Sequence, residues 1–358
     1  MKKLLIAVIL TFTLINSLLA EGTLISAVLI TRHGDRTPFD NIVNANYQWG
    51  TDLTELTPIG MHQEFMLGAK LRKHYIEELK FLDDNYKANT IYTLSSNSNR
   101  TILSAECVLM GLYPPGTGPE IAKDEPALPG RIQTIPVRSL PDSSYMILTP
   151  YQTYLKILGK YVYSSKEWTD KQNELKGKFE VWSKILGNKV ETLGDVLTIG
   201  DVLIVAKQHN LPMPEGLSSE DVAEILQTTS LMLAQQFKSE TVSYLMGSEL
   251  LNAILKNLKD ASQNKAKYRL NYYSGHDITI LPVMSLLGSP LEESPGYAAN
   301  IIIELYKDSE AQFYAKVLYN GDYVQLPVMN GKDSCPLSDL EGHISKLNEK
   351  YKAVPLPQ

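Results

Sequence analysis

The sequence predicts an α/β fold, with a mixed, mostly parallel central sheet flanked by helices and a smaller, mainly helical cap domain inserted into it. Short apolar, branched runs alternate with helical patterns in residues 21–150 and 266–358, which we expect to form the core. Residues 151–265 carry mostly helical patterns and are predicted to form the cap. The length of 358 residues exceeds what one compact core usually holds and also favours a second domain.

The first predicted strand leads directly into the most distinctive motif of the chain. Residues 23–31 read TLISAVLIT, a continuous apolar run typical of a strand buried on both faces. The motif RHGDRTP, residues 32–38, begins where this strand ends. A helix should begin near Pro58, because apolar or small residues recur after it at steps of three and four: Met61, Phe65, Gly68, Leu71 and Tyr75.

Two further units repeat this strand-to-helix arrangement. Residues 90–96 predict a buried strand, followed by a helix over about 101–111. Residues 268–274 predict another strand, which runs into the sequence GHD and then into a helix that ends at residue 288. More strands are predicted at 300–306 and 313–324.

Charged side chains follow three of these strands at the points where the strands end. Arg32 and His33 follow the first, Arg100 lies shortly after the second, and His276 with Asp277 follows the third. Ligand sites in open α/β sheets lie at the carboxyl ends of the strands. The sequence therefore predicts that these residues line one pocket.

The residue types in this pocket suit a phosphate monoester. Such an ester carries negative charge on several oxygens, and its transfer needs fixed positive donors around them. Arg32, Arg36 and Arg100 each offer a rigid fork of donors that matches phosphate oxygens, and His276 would add a fourth donor. Phosphate binding is therefore assigned to these four side chains.

The same pocket contains a candidate nucleophile and a candidate proton donor. A histidine nucleophile must be neutral, and nearby arginines disfavour its protonated form, so they would keep His33 reactive at acidic pH. Asp277 is the carboxyl group best placed to protonate the leaving alkoxide. A bound phosphate would raise the pKa of Asp277, which is a physical reason to expect an acid pH optimum.

Several other polar residues receive no catalytic role. His62, His74, His209 and His343 have no partners at metal-ligand spacing and are expected to be exposed. Glu304 lies in an apolar run, where a buried carboxylate would need a partner. It could support the site or face solvent, and the pattern slightly favours solvent.

The first twenty residues have the pattern of a secretory signal peptide. Lys2 and Lys3 precede an apolar run over 4–15 and a small-residue segment that ends at Ala20. The run is shorter than the roughly 20 residues that span a bilayer. We expect removal of residues 1–20 and a protein that is periplasmic or secreted.

The net charge limits the classes of partner. The formal charge of −6 becomes −8 when Lys2 and Lys3 are removed, which argues against nucleic acid and anionic membranes as partners. Small-molecule phosphate monoesters, phosphotyrosine among them, are the expected partners. The sequence allows either a monomer or a homodimer.

These motifs resemble those of the histidine acid phosphatases, the acid phosphatase and phytase branch of the histidine phosphatase superfamily. Besides RHGDRTP, the similar segments are LTPIGMHQEFMLGAKLRKHY at 56–75, NRTILSAECVLMGLYPP at 99–115 and YSGHDITILPVMSLLG at 273–288. The resemblance spans essentially the whole predicted mature chain. It implies neither a metal nor an organic cofactor. It also implies a nucleophile that becomes phosphohistidine, a proton donor and four phosphate-binding residues: His33, Asp277, and Arg32, Arg36, Arg100 and His276.

The cysteines depart from the pattern of this family. Many relatives carry several disulfides, including a short bridge near the C-terminus, but here Gly331 stands four residues before Cys335. Cys107 and Cys335 are the only cysteines of the chain, so the protein is not a disulfide scaffold, and their pairing is left open.

Three other functions remain as alternatives. A phytase would need extra basic residues around its pocket, of which an acidic chain gives no sign. A mutase-like phosphotransferase would share the Arg-His-Gly loop, but its usual substrates are cytoplasmic. A non-catalytic exported protein that binds phosphate ligands would be expected to have lost part of this residue set. The physiological substrate cannot be read from the sequence.

Overall fold

A computed structural model describes residues 22–50 and 52–356 of the chain. The predicted signal peptide, residues 1–20, and its cleavage site lie outside these residues. Within them, no helix is both long enough and apolar enough to cross a membrane.

The strands form one large sheet and one small hairpin. The hairpin contains β3 and β4, and the other strands belong to the large sheet. In chain order the strands are β1 Thr23–Arg32, β2 Ile91–Ser95, β3 Glu120–Ala122, β4 Glu125–Pro126, β5 Val137–Ser139, β6 Leu270–Gly275, β7 Asn300–Lys307, β8 Phe313–Tyr319, β9 Asp322–Tyr323 and β10 Cys335–Pro336.

The large sheet is mixed, as the sequence predicts. Its order is β10-β8-β7-β1-β6-β2-β5, with β9 paired to β8. Strands β1, β6, β2 and β5 pair in parallel, whereas β7, β8 and β10 pair antiparallel. The predicted strand 313–324 is two strands, because the chain turns at Asn320 and Gly321, both of which have positive φ. The predicted α/β class is confirmed.

Helices cover the sheet and fill the segment between β5 and β6. They are α1 Pro58–Arg72, α2 Asn99–Leu112, α3 Tyr151–Tyr161, α4 Lys166–Leu186, α5 Leu193–Gln208, α6 Ser219–Gln235, α7 Glu240–Ser262, α8 Asp277–Leu286 and α9 Leu337–Tyr351. A short π-helical turn, Lys73–Glu78, extends α1. Residues 151–262 contain no strand.

The side chains of β1 show how the sheet is buried on both faces. Ala27 and Leu29 belong to an apolar cluster formed with α1 and α2, while Val28 and Ile30 belong to one formed with α7, α8 and α9. Successive side chains of a strand point to opposite faces, so this unbroken apolar run supplies both layers. A third cluster, which includes the buried Trp182, lies mainly between helices α3 to α7 and also contains Ile42 and Leu281.

Two local predictions differ from the structure. In α1, Glu64 is fully buried whereas Met61 is 39 % exposed, so the buried face of the helix is shifted from the predicted one. Helix α2 begins at Asn99, so Arg100 lies in its first turn.

Cys107 and Cys335 are both free, so the structure answers the question, left open by the sequence, of whether they form a disulfide.

Candidate active site

Three neighbouring parallel strands bring the predicted site residues to one edge of the sheet. Strand β6 lies between β1 and β2, with Arg32 beside Gly275 and Ser95 beside Ser274. All three strands therefore end at the same level. The segments that carry the charged side chains leave the sheet side by side.

A cavity of about 1110 Å³ opens at this edge. It is lined by all six residues that the sequence predicts for the site. We call these six residues the site cluster: Arg32, His33, Arg36, Arg100, His276 and Asp277.

The loop after β1 fixes the position of His33. Gly34 lies so close to Gly60 at the start of α1 that a Cβ atom would come within 2.4 Å of the Gly60 carbonyl oxygen. The Gly34 amide donates to the Ser104 hydroxyl at 3.1 Å, which ties the loop to α2 as well. The backbone next to His33 is thus held from two sides.

The ring of His33 is oriented by its own loop. Its Nδ1 lies 2.8 Å from the carbonyl oxygen of Gly34. A carbonyl oxygen only accepts, so Nδ1 carries the proton of this hydrogen bond and Nε2 keeps the lone pair. Nε2 is the nitrogen that can attack an electrophile.

The surroundings of His33 favour its neutral form. It is 2 % exposed, and burial holds its pKa well below the ordinary value of 6.5. The charges of Arg32, Arg100 and Arg36, together with His276, lower the pKa further. The arginines act as expected from the sequence, but burial is the larger cause.

Arg32 joins the loop after β1 to the segments after β6 and α8. Its guanidinium forms an ion pair with Asp277 at 3.1 Å, donates to the carbonyl oxygen of Pro295, and lies 4.5 Å from the centre of the Tyr297 ring. Burial alone would raise the pKa of Asp277, but Arg32, with His276 and Arg36, outweighs it and holds that pKa below the ordinary value. Asp277 is therefore ionised in the free protein.

Arg36 is held by a carboxylate that the sequence did not point to. Its two terminal nitrogens donate to Asp201 in α5 at 2.7 and 3.1 Å, and its guanidinium lies over the ring of Phe39. Burial lowers the pKa of Arg36, but Asp201 more than offsets this and raises it. The only local signal was an aspartate within an apolar helical run, which gives no indication of its partner.

Arg100 and His276 form the third side of the site. The Arg100 Nη2 lies 3.4 Å from Nδ1 of His276, while Nε2 of that ring lies 2.8 Å from the Ser96 hydroxyl. Burial, followed by the charge of Arg36, lowers the pKa of Arg100 to about 10. Burial and Arg100 also hold the pKa of His276 well below 6.5, so this ring is neutral.

Each of the three arginines of the site cluster has a donor without a partner. The Nε atoms of Arg32, Arg36 and Arg100 are all buried and have no hydrogen-bond partner among the described residues. Buried donors are almost always satisfied in folded proteins. The three guanidinium groups line one cavity, and such a cluster of positive charge indicates a site for an anion.

A second carboxylate, that of Asp35, belongs to the RHGDRTP motif itself. Asp35 is fully buried and accepts hydrogen bonds from the Thr57 hydroxyl at 2.5 Å and from Nε2 of His209 at 2.7 Å. The ring of His209 also contacts Trp49, with 5.2 Å between the ring centres. The expectation that His209 is an exposed bystander is therefore wrong.

Glu304 and His74 also differ from expectation. Glu304 is 1 % exposed rather than facing solvent, and it accepts from the Tyr75 hydroxyl at 2.9 Å and the Tyr306 hydroxyl at 2.9 Å. His74 lies 3.2 Å from the same carboxylate, and that hydrogen bond raises the pKa of His74. Tyr75 and His74 lie in the π-helical turn after α1, and Tyr306 lies on β7 itself. His343 is half-buried and bonded to the Leu286 carbonyl oxygen.

No group of three or more His, Cys, Asp or Glu side chains within 22–50 and 52–356 is arranged to hold a metal ion.

The chain matches a known enzyme family over most of its length. The sequence profile of the histidine phosphatase superfamily (branch 2) matches residues 23–320. The chain therefore belongs to this family. It is a phosphoric monoester hydrolase of the histidine acid phosphatase type, as the motifs predicted.

Named relatives are similar to most of the chain, and a solved structure shares its fold. The chain is 28 % identical to the lysosomal acid phosphatase of Xenopus laevis over 87 % of this chain and 74 % of the relative. It is also 28 % identical to the human prostatic acid phosphatase, over 92 % of this chain and 86 % of the relative. The phytase from Citrobacter braakii superposes with a TM-score of 0.66 at 15 % identity, covering 93 % and 100 % of the two chains, which shows a shared fold.

Proposed function

We propose that this protein hydrolyses phosphate monoesters through a phosphohistidine formed on His33. The observation that carries the proposal is one cavity lined by three arginines and by a neutral histidine whose Nε2 keeps its lone pair. Arginine donors stabilise the charge that spreads over the phosphoryl oxygens during transfer.

The first step transfers the phosphoryl group to the protein. Nε2 of His33 forms a bond to phosphorus while the bond between phosphorus and the ester oxygen breaks, and Asp277 gives its proton to the leaving oxygen. In the second step a water oxygen forms a bond to phosphorus while the bond between phosphorus and Nε2 of His33 breaks, and the water gives a proton to Asp277. Inorganic phosphate leaves and His33 is regenerated.

Asp277 needs the substrate in order to be protonated. In the free protein Arg32 stabilises its charged form, but a bound phosphate dianion would engage Arg32 and place negative charge beside the carboxylate. Both changes raise the pKa of Asp277 towards the acidic working range. Binding of the substrate would thus favour the protonated form of Asp277, the proposed proton donor.

The nucleophile can be tested by trapping. Reaction with radiolabelled aryl phosphate, followed by rapid quenching without acid, should label wild type at one histidine. His33→Ala should show neither label nor turnover. His62→Ala is the matched control, because this histidine is exposed on α1 and does not line the cavity. Full turnover by His33→Ala would refute the assignment.

The proton donor can be tested through the leaving group. Asp277→Asn should slow hydrolysis of alkyl esters far more than hydrolysis of nitrophenyl phosphate, whose leaving group needs no proton. Similar losses on both esters would contradict the role of Asp277.

Two further assignments belong to this proposal. We assign residues 1–20 to an export signal. N-terminal sequencing of the protein recovered from the periplasm or the medium tests this assignment, because these residues should be absent.

We also assign residues 151–265 to a cap domain over a core formed by 21–150 and 266–358. The apolar cluster around Trp182 supports this assignment.

A further inference from the structure

The cavity is larger than a phosphate and a small alcohol require. Its volume of about 1110 Å³ lies at or above the range of about 300–1,000 Å³ that is usual for small-molecule sites. Outside the site cluster, much of its lining comes from helices α3 to α6. This lining includes large apolar or aromatic side chains: Tyr154, Leu158, Trp168, Leu197 and Leu233.

Positive charge is confined to one part of the cavity. Among the described lining residues, every arginine and histidine belongs to the site cluster, and there is no lysine. The lining also contains Asp40 and Asp142, both of which are exposed. A substrate with several phosphates would therefore find one set of cations and additional negative charge.

The polar side chains of the helical lining are mostly satisfied within the protein. The Tyr154 hydroxyl donates to Oε1 of Gln236 at 2.7 Å, and the Thr229 hydroxyl donates to the carbonyl oxygen of Ile225 at 2.8 Å. Outside the helices, the hydroxyls of Thr149 and Tyr297 are exceptions, since both are buried without a hydrogen-bond partner among the described residues. The lining as a whole exposes more apolar than polar surface to a bound molecule.

We propose that the preferred substrates carry one phosphate on a long, unbranched apolar alcohol. The phosphate lies in the site cluster and the alkyl chain lies along Leu158, Leu197 and Leu233. The proposal rests on the phosphatase activity proposed above and names the class of leaving group for that same site.

A series of alkyl phosphates tests the proposal directly. Butyl, octyl and dodecyl phosphate should be compared with phytate at concentrations below micelle formation, with inorganic phosphate release as the readout. Each buried methylene contributes up to about a fourfold gain in binding. We expect kcat/KM to rise at least about tenfold from butyl to dodecyl phosphate, mainly through KM, and phytate to be the poorest substrate.

Substitutions in α6 test where the alkyl chain of the substrate lies. Leu233→Asp places a charge on the lining and should remove most of the preference for dodecyl phosphate while butyl phosphate is still hydrolysed. Leu231→Asp is the matched control, because Leu231 is on the same helix, is 36 % exposed and does not line the cavity. If Leu233→Asp does not fold, Leu197→Asp in α5 and the wild-type series decide the question.

The outcomes separate this proposal from the underlying activity. If wild type hydrolyses butyl and dodecyl phosphate with equal kcat/KM, or prefers phytate, the apolar substrate class is refuted and the phosphatase stands. Equal loss of dodecyl preference in Leu231→Asp and Leu233→Asp would also refute it. Failure to hydrolyse any ester, aryl phosphates included, would instead refute the proposed function.

Discussion

Glu64 makes the stability of this protein depend on pH in a direction that can be measured. It is fully buried in α1, and neither carboxyl oxygen has a hydrogen-bond partner among the described residues. Burial raises the pKa of Glu64 well above its ordinary value near 4.5, although the nearby Ser104 opposes the effect. Glu64 is therefore a neutral acid in the folded protein at pH values where the unfolded chain carries its charge.

The sign of the effect follows from proton binding. Above pH 4.5 the unfolded chain loses the Glu64 proton while the folded protein keeps it, so the free energy of unfolding falls as pH rises. The contribution is up to about 1.4 kcal/mol per pH unit until the folded pKa is passed. Glu64→Gln has nearly the same shape and no charge, so it should remove this slope.

The assay is urea unfolding of wild type and Glu64→Gln at pH 5.5, 6.5 and 7.5. We expect the free energy of unfolding of the variant to increase relative to that of wild type by up to about 2.7 kcal/mol from pH 5.5 to 7.5. Other titrating groups contribute equally to both proteins and do not affect this difference. Glu106→Gln, an exposed position in α2, is the matched control and should run parallel to wild type. If wild type and Glu64→Gln also run parallel, Glu64 does not hold its proton and the reasoning fails.

Three other substitutions test contacts around and beyond the site. Asp201→Ala leaves Arg36, which is 2 % exposed, without its counter-charge, and should lower the free energy of unfolding by about 3 kcal/mol and weaken inhibition by phosphate. Urea unfolding and phosphate inhibition measure both, and an unchanged protein would contradict the role of Asp201. Tyr297→Leu removes the ring beside Arg32 and should raise the inhibition constant of phosphate about threefold, whereas no change would show that the ring does not position the guanidinium. Glu304→Ala should cost about 2 kcal/mol by urea unfolding and leave kcat/KM nearly unchanged; a large loss of activity would link this distant carboxylate to catalysis.

The sequence predicted the central strands and their chemistry because both leave local signals. Strands buried on both faces are mostly apolar or β-branched, as 23–31 is and, to a smaller degree, 90–96. Since parallel strands end at one edge, charged residues after three such runs could be placed in one pocket. The same reasoning gave no information on residues 113–150, whose strands contain only two or three residues.

The errors concern contacts between residues far apart in sequence. Asp201 lies 165 positions after Arg36, and His209 lies 174 positions after Asp35. No period in either segment identifies these partners, because the pairs exist only once α5 is packed against the loop. Glu304 was assigned to solvent for the same reason, since its partner Tyr75 lies 229 positions earlier.

The pairing of Arg36 with Asp201 connects the proposed phosphate site to the packing of α5. One residue of the pair belongs to the loop after β1 and the other to α5, so an anion that binds Arg36 also acts on the contact between these two parts. By thermodynamic linkage, a ligand that binds only the docked arrangement stabilises it. We therefore expect product phosphate to protect the protein against local opening of α5.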